Sequence, residues 1–133
     1  MKEKTLEYYK EGYNCSQCIL KAFEYVYKRP LPEQVFSLCQ GVNTGFGVGG
    51  MCSVLIAGIM ILGLLFDEED VKRLRIKLLF RFQEKHGDMG CMALVSERKP
   101  NMKCEEVVGE IAGLLDEIIR EEGVILTDYS RFT

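Results

Sequence analysis

"GVGGMCSVLIAGIMILGLLF" runs from Gly47 to Phe66, and its reading decides the fold. It admits three structures: a membrane span, a phosphate-cradling loop with its helix, or a buried helix that presents one thiol. Length rules against the first. Residues 51–66 are apolar apart from Ser53, but as a helix they cover only about 24 Å at about 1.5 Å per residue. A bilayer core takes about 20 residues, and "DEED" at 67–70 ends the run sharply. The second reading lacks its chemistry. "GVNTGFGVGG" at 41–50 has neither the Lys-Ser/Thr ending of a phosphate loop nor a strand before it, so neither nucleotide fingerprint is met. Five glycines in ten residues suit neither helix nor strand and predict a loop. A central buried helix over 51–66 is the reading that stands, with the glycines allowing a tight crossing beside Cys52.

Upstream, residues 2–12 have the pattern of a short amphipathic helix, with Leu6 and Tyr9 on one side and Gly12 as its break. Asn14 is a good N-cap. It opens a helix from Cys15 to about Lys28, whose stripe is Cys15, Cys18, Ile19, Ala22, Phe23 and Val26. "RPLPE" ends that helix, and Pro32 opens a third to about Gln40. Downstream, residues 67–86 predict a long helix, acidic at its start and basic at its end, as the helix dipole favours. Gly87 is its natural C-cap. "DMGCMALVSERKP" at 88–100 predicts one short helix stopped before Pro100. Asn101 is placed to cap a last helix over about 102–122, with Val107, Ile111, Leu114, Leu115 and Ile118 inward. Gly123 ends it, and the tail 124–133 is an extended arm or short strand. The expected fold is all-α: one domain over 1–133, five to six helices bundled around the apolar helix 51–66, with a short C-terminal extended tail.

Bulk properties narrow the function. A 133-residue chain that is 47% hydrophobic can bury a real core without covalent staples. A net charge of −3 and a pI near 5.3 argue against nucleic-acid or acidic-membrane binding, since both need a positive footprint. The single histidine, His86, excludes a His-rich metal site within one chain. The first residues, "MKEKTLEYYKEGYNC", have no continuous apolar segment of the secretory kind, so the expected compartment is the cytoplasm. There, six cysteines point to redox thiols or metal ligands before structural disulfides.

Four of the six share a position. Cys15 follows the cap Asn14, Cys52 follows the glycine loop, Cys91 lies three residues after Asp88, and Cys104 three after Asn101. Each falls in the first turn of an expected helix, where unpaired N–H groups and the dipole stabilise a thiolate or an anionic metal–thiolate cluster. Cys15 and Cys18 also make "CSQC", but the strand–helix context of a thioredoxin-like motif is missing. Cys18 and Cys39 read as core packing. The separations are too long for paired C-x-x-C zinc ribbons, so spacing alone gives no metal.

At these residues the sequence resembles the C_GCAxxG_C_C family of redox-active proteins. "GYNCSQCIL" matches the family's first segment, "GGMCSVLIAGIMILGL" its central Cys-Gly-Ala-x-x-Gly stretch, "HGDMGCMALV" its third and "KCEEVVGEIAGLLDEII" its fourth. The chain departs at Ser53, Val54 and Ala57, where the family tends to have Gly, Ala and Gly, and at Cys18, where a small apolar residue is usual. The resemblance implies a redox role for Cys15, Cys52, Cys91 and Cys104, with no established substrate. Related cysteine modules are suspected of carrying iron–sulfur clusters.

Three functions follow as expectations. The first is thiol–disulfide or electron-transfer chemistry with a redox partner protein, Cys52 as nucleophile, Cys15 or Cys91 as resolving thiol, and His86 either assisting or serving as a helix-end dipole partner. The second is a metal site on Cys15, Cys52, Cys91 and Cys104, an iron–sulfur cluster ahead of zinc. The third is a non-catalytic helical module with cysteines in its core. The basic run Lys72, Arg73, Arg75, Lys77, Arg81 and Lys85 reads as a solvated face. The apolar surplus at Ile76, Phe80 and Phe82 points to a homodimer.

Overall fold

The computed structural model describes residues 1–43, 45–87, 89–90 and 104–123. Six α-helices occupy them: α1 (Lys2–Lys10), α2 (Cys15–Val26), α3 (Glu33–Ser37), α4 (Ser53–Leu65), α5 (Glu68–His86) and α6 (Cys104–Glu121). Among the described residues there is no strand, only an isolated antiparallel bridge between Met51 and Gly90. The all-α class is therefore as expected. Of the expected helix at 88–100 only Met89 and Gly90 are described, and neither is helical, because Gly90 bridges to Met51; its other residues and the C-terminal tail lie outside the described residues.

α4 is the hub. It packs against α2, α5 and α6, while α1 lies across α2 and α6. Its composition explains this: Val54, Leu55, Ala57, Gly58, Ile61, Leu62 and Leu65 are all buried. Such an all-round apolar helix is stable only inside a core. At 13 residues it is shorter than the expected 51–66, because Cys52 serves as its N-cap and Phe66 has extended backbone angles. Among the described residues no helix is long and apolar enough to cross a membrane. Gly58 sits where an added Cβ would meet Leu78 Cδ2 at 3.4 Å and Leu115 Cδ2 at 3.8 Å, which lets α5 and α6 approach closely.

The glycine segment expected as a loop contains a kinked helical turn at Gly45–Gly49, with left-handed φ of 63° at Phe46 and 79° at Gly47. α5 is bounded as the sequence predicts. Asp67 accepts from the Asp70 amide at 2.9 Å, and Gly87 closes the other end at φ 78°.

The basic run on α5 is largely solvent-exposed, as expected, and it carries pairs that sequence reading did not foresee. Much of it faces α6, which runs antiparallel. Arg73 pairs with Glu122 at 2.6 Å, Lys77 with Glu121 at 2.8 Å, Arg81 with Glu121 at 2.9 Å and Lys85 with Glu110 at 2.7 Å. The face is therefore a ladder of cross-helix ion pairs. Sequence reading saw only local charge, because the partners lie about 25 to 49 residues away. Phe82 is also placed otherwise than expected: it is buried at 0% exposure, so it cannot belong to an outer apolar face.

Candidate functional site

The site forms where three helix ends meet. α2 begins at Cys15, held by a complete capping box. The Asn14 side-chain oxygen accepts from the Gln17 amide at 2.9 Å, and the Gln17 side chain accepts from the Asn14 amide at 3.3 Å. Ser16 Oγ donates to the same Asn14 oxygen at 3.0 Å. Gln17 Nε2 also donates to the Phe36 carbonyl at 3.0 Å, tying this corner to α3. Cys15 is thus the first residue of a fixed helix end.

α6 begins at Cys104, and the two half-buried sulfurs lie 3.1 Å apart. That is about 1 Å longer than a disulfide, which needs about 2.05 Å. It is shorter than the spacing of about 3.8 Å that two thiolates take on one tetrahedral zinc with Zn–S near 2.3 Å. The distance suits a thiol donating its hydrogen to a thiolate. Tyr9, from the last turn of α1, brings its hydroxyl near enough to favour the Cys104 thiolate.

The electrostatics follow from this contact. The hydrogen bond from Cys15 favours the Cys104 thiolate, burial opposes it, and the Tyr9 hydroxyl favours it again. The result brings Cys104 down to about 7. Cys15 moves the other way. Its hydrogen bond to Cys104, its burial and the Cys104 charge all hold its proton, far above the ordinary thiol range. Cys52 and Cys18 lie near enough that ionising either would hold the Cys15 proton further. Tyr9 rises to about 12, through burial first and the nearby Cys104 charge second, so its hydroxyl stays a donor. The three groups share at most one negative charge, which develops as pH rises through about 7.

The remaining cysteines sit differently. Cys52 is 7% exposed, and its N–H donates to the Met89 carbonyl at 2.8 Å. With the Met51–Gly90 bridge, this fixes the start of α4 against the segment that leads into Cys91 in sequence. Cys91 itself lies outside the described residues. Cys18 is fully buried, with its thiol donating to the Tyr13 carbonyl at 3.4 Å, and burial raises it to about 12. Cys39 is buried and donates to the Val35 carbonyl at 3.5 Å. Both match the core packing expected of them. His86 is buried at the end of α5, its ring against Phe82 with centroids 4.6 Å apart.

Of the four cysteines singled out in the sequence, then, Cys15 and Cys104 touch, and Cys52 lies close enough to act on Cys15 by charge. Among the described residues no group of three or more His, Cys, Asp or Glu side chains is arranged to hold a metal. Sequence reading missed Tyr9. Its one signal was a place on the inner side of α1, which says nothing of a hydroxyl reaching a thiol on α6.

The comparisons bear on the same residues. A sequence model of a family described as "Putative redox-active protein (C_GCAxxG_C_C)" matches residues 13–118. Neither the curated proteins nor the solved structures include a significant match. The matched span starts just before Cys15, takes in the whole of α4 and passes Cys104, and on that match the chain belongs to the C_GCAxxG_C_C family.

Proposed function

We propose that the protein is a dithiol–disulfide redox protein in which Cys104 is the nucleophile and Cys15 the resolving thiol. The observation that carries this reading is the 3.1 Å contact between a thiolate-favouring and a proton-holding sulfur. It favours Cys104 over the more deeply buried Cys52 as the attacking group.

The chemistry balances as follows. The Cys104 thiolate attacks one sulfur of a substrate disulfide; the substrate S–S bond breaks, and the released thiolate takes a proton from water. Cys104 now stands in a mixed disulfide and carries no charge. Cys15 thereby loses the acceptor and the charge that held its proton, leaving burial as the main restraint. It gives its proton to the departing substrate sulfur and attacks the Cys104 sulfur. The protein ends as the Cys15–Cys104 disulfide and the substrate as a dithiol, two electrons having passed between them. A partner dithiol reverses the sequence. The reduced starting state suits a reducing compartment such as the cytoplasm, and the cysteines act within one domain over 1–133.

The test is trapping. Cys15→Ser protein treated with an aromatic disulfide should accumulate a stable mixed disulfide on Cys104, seen by peptide mass spectrometry. Cys104→Ser protein should accumulate none at Cys15 on the same timescale. Equal trapping in both variants would reject the assignment of roles.

A second reading is a four-cysteine metal site on Cys15, Cys52, Cys91 and Cys104, an iron–sulfur cluster or zinc. One observation favours it: Cys52 joins the Cys15–Cys104 pair within electrostatic reach. Anaerobically purified protein assayed for iron, zinc and sulfide, alongside its visible spectrum, decides between the readings. Matching iron and sulfide would support the cluster. Metal-free protein with reactive thiols would support the dithiol.

A further inference from the structure

We infer that the outer face of α5 is an interface between two copies of this chain, packed antiparallel about a twofold axis at the level of Leu78. The inner face of α5 is spent on the core through Leu74, Leu78, Phe82 and His86. One flank is spent on α6 through Arg73, Lys77, Arg81 and Lys85. Opposite the core runs a row at four-residue spacing: Lys72, Ile76, Phe80 and Glu84, all exposed. Ile76 and Phe80 are 56% and 65% exposed, uncommonly open for side chains of that size.

The order of the row identifies what covers it. It reads cation, apolar, apolar, anion. Ile76 and Phe80 lie two residues either side of Leu78, and Lys72 and Glu84 lie six either side. A second copy laid antiparallel over this row sets Ile76 on the partner's Phe80 and Lys72 on the partner's Glu84, twice by symmetry. A parallel copy would set lysine on lysine and glutamate on glutamate. At about 1.5 Å per residue the charge pairs bracket the apolar centre at about 9 Å on each side. An isologous dimer needs one self-complementary patch, and this row supplies it. Among the described residues Lys72 pairs with Glu68, at 3.4 Å with both side chains well exposed, a contact that an interface can rearrange at little cost.

The contact is small. One helix row falls below the area of about 800 Å² per partner typical of a stable complex. The association is therefore a weak, concentration-dependent one. The charge pairs sit at its rim, where they set orientation more than affinity.

The experiment is sedimentation equilibrium on the full chain, with reductant present so that no intermolecular disulfide contributes, from micromolar to millimolar concentration. The wild-type chain should show a monomer–dimer equilibrium. Phe80→Asp should weaken it by about tenfold or more. Lys72→Glu and Glu84→Lys should each weaken it, because each brings like charges together across the axis. The combined variant should recover affinity to within a few-fold of wild type. These two are surface changes that leave the core intact, so they stay informative even where Phe80→Asp affects folding. A wild-type chain that is monomeric throughout would overturn the inference and leave the face to a different protein. Dimerisation indifferent to these variants, or a double swap no better than the singles, would overturn it as well.

Discussion

Cys15 and Cys104 stand 89 residues apart in the chain and 3.1 Å apart at their sulfurs, and the two thiols divide one proton between them. The first proton leaves the pair near pH 7; the second is held far above it. Alkylation of Cys104, followed by peptide mass spectrometry across pH, should therefore show a midpoint near 7. Cys15→Ala removes the largest cause of the shift and should move that midpoint upward, toward an ordinary thiol. An unchanged midpoint in Cys15→Ala would break the link between the two residues.

Tyr9 makes the same kind of contribution on a smaller scale. Tyr9→Phe keeps the ring and removes the hydroxyl that favours the Cys104 thiolate. The alkylation midpoint should rise, by less than in Cys15→Ala, and the reaction at pH 7 should slow. A purely structural role for Tyr9 would change melting temperature and leave the midpoint where it was.

Stability should carry the same signature. The folded state lowers Cys104, so its contribution is complete above the ordinary thiol range and is lost as pH falls through about 7. The folded state raises Cys15, so its thiolate disfavours folding only as pH climbs past the ordinary thiol range. Urea midpoints of the reduced protein should rise from pH 6 to 8.5 and decline at higher pH. The difference between wild type and Cys104→Ala isolates the effect from other titrating groups. A difference that does not vary with pH would contradict the shared-proton description.

Two glycines of α4 should respond in opposite ways. Gly63 is exposed, and an added Cβ meets nothing within 4 Å. Gly63→Ala should stabilise the protein by about 0.5–1 kcal/mol through helix propensity alone. Gly58 faces Leu78 and Leu115. Gly58→Val should destabilise by about 1–3 kcal/mol, because the branched side chain forces α5 and α6 apart. Thermal melts of both variants check the hub role assigned to α4.

Much of this architecture was legible in the sequence. The apolar run after the glycines, the cap at Asn14, and the Asp67 and Gly87 bounds of α5 are local features, and each appears where local chemistry puts it. The helix-start positions of Cys15 and Cys104 are local too. Which thiols meet is not, because that depends on how α1 crosses α2 and α6. The same holds for the Tyr9 hydroxyl and for the ion pairs between α5 and α6. Cys52 shows the finer limit: a two-residue difference in a helix start turns a first-turn thiol into a buried cap residue.

The central claim is the Cys15–Cys104 couple, and a disulfide map tests it most directly. The protein would be equilibrated across a series of dithiol–disulfide buffers, alkylated in acid and digested without reduction. The account predicts a Cys15–Cys104 linked peptide that appears and disappears reversibly, with the two residues losing alkylation together while Cys18 and Cys39 stay reduced. Independent titration of Cys15 and Cys104, or a reversible disulfide that joins neither to the other, would contradict it.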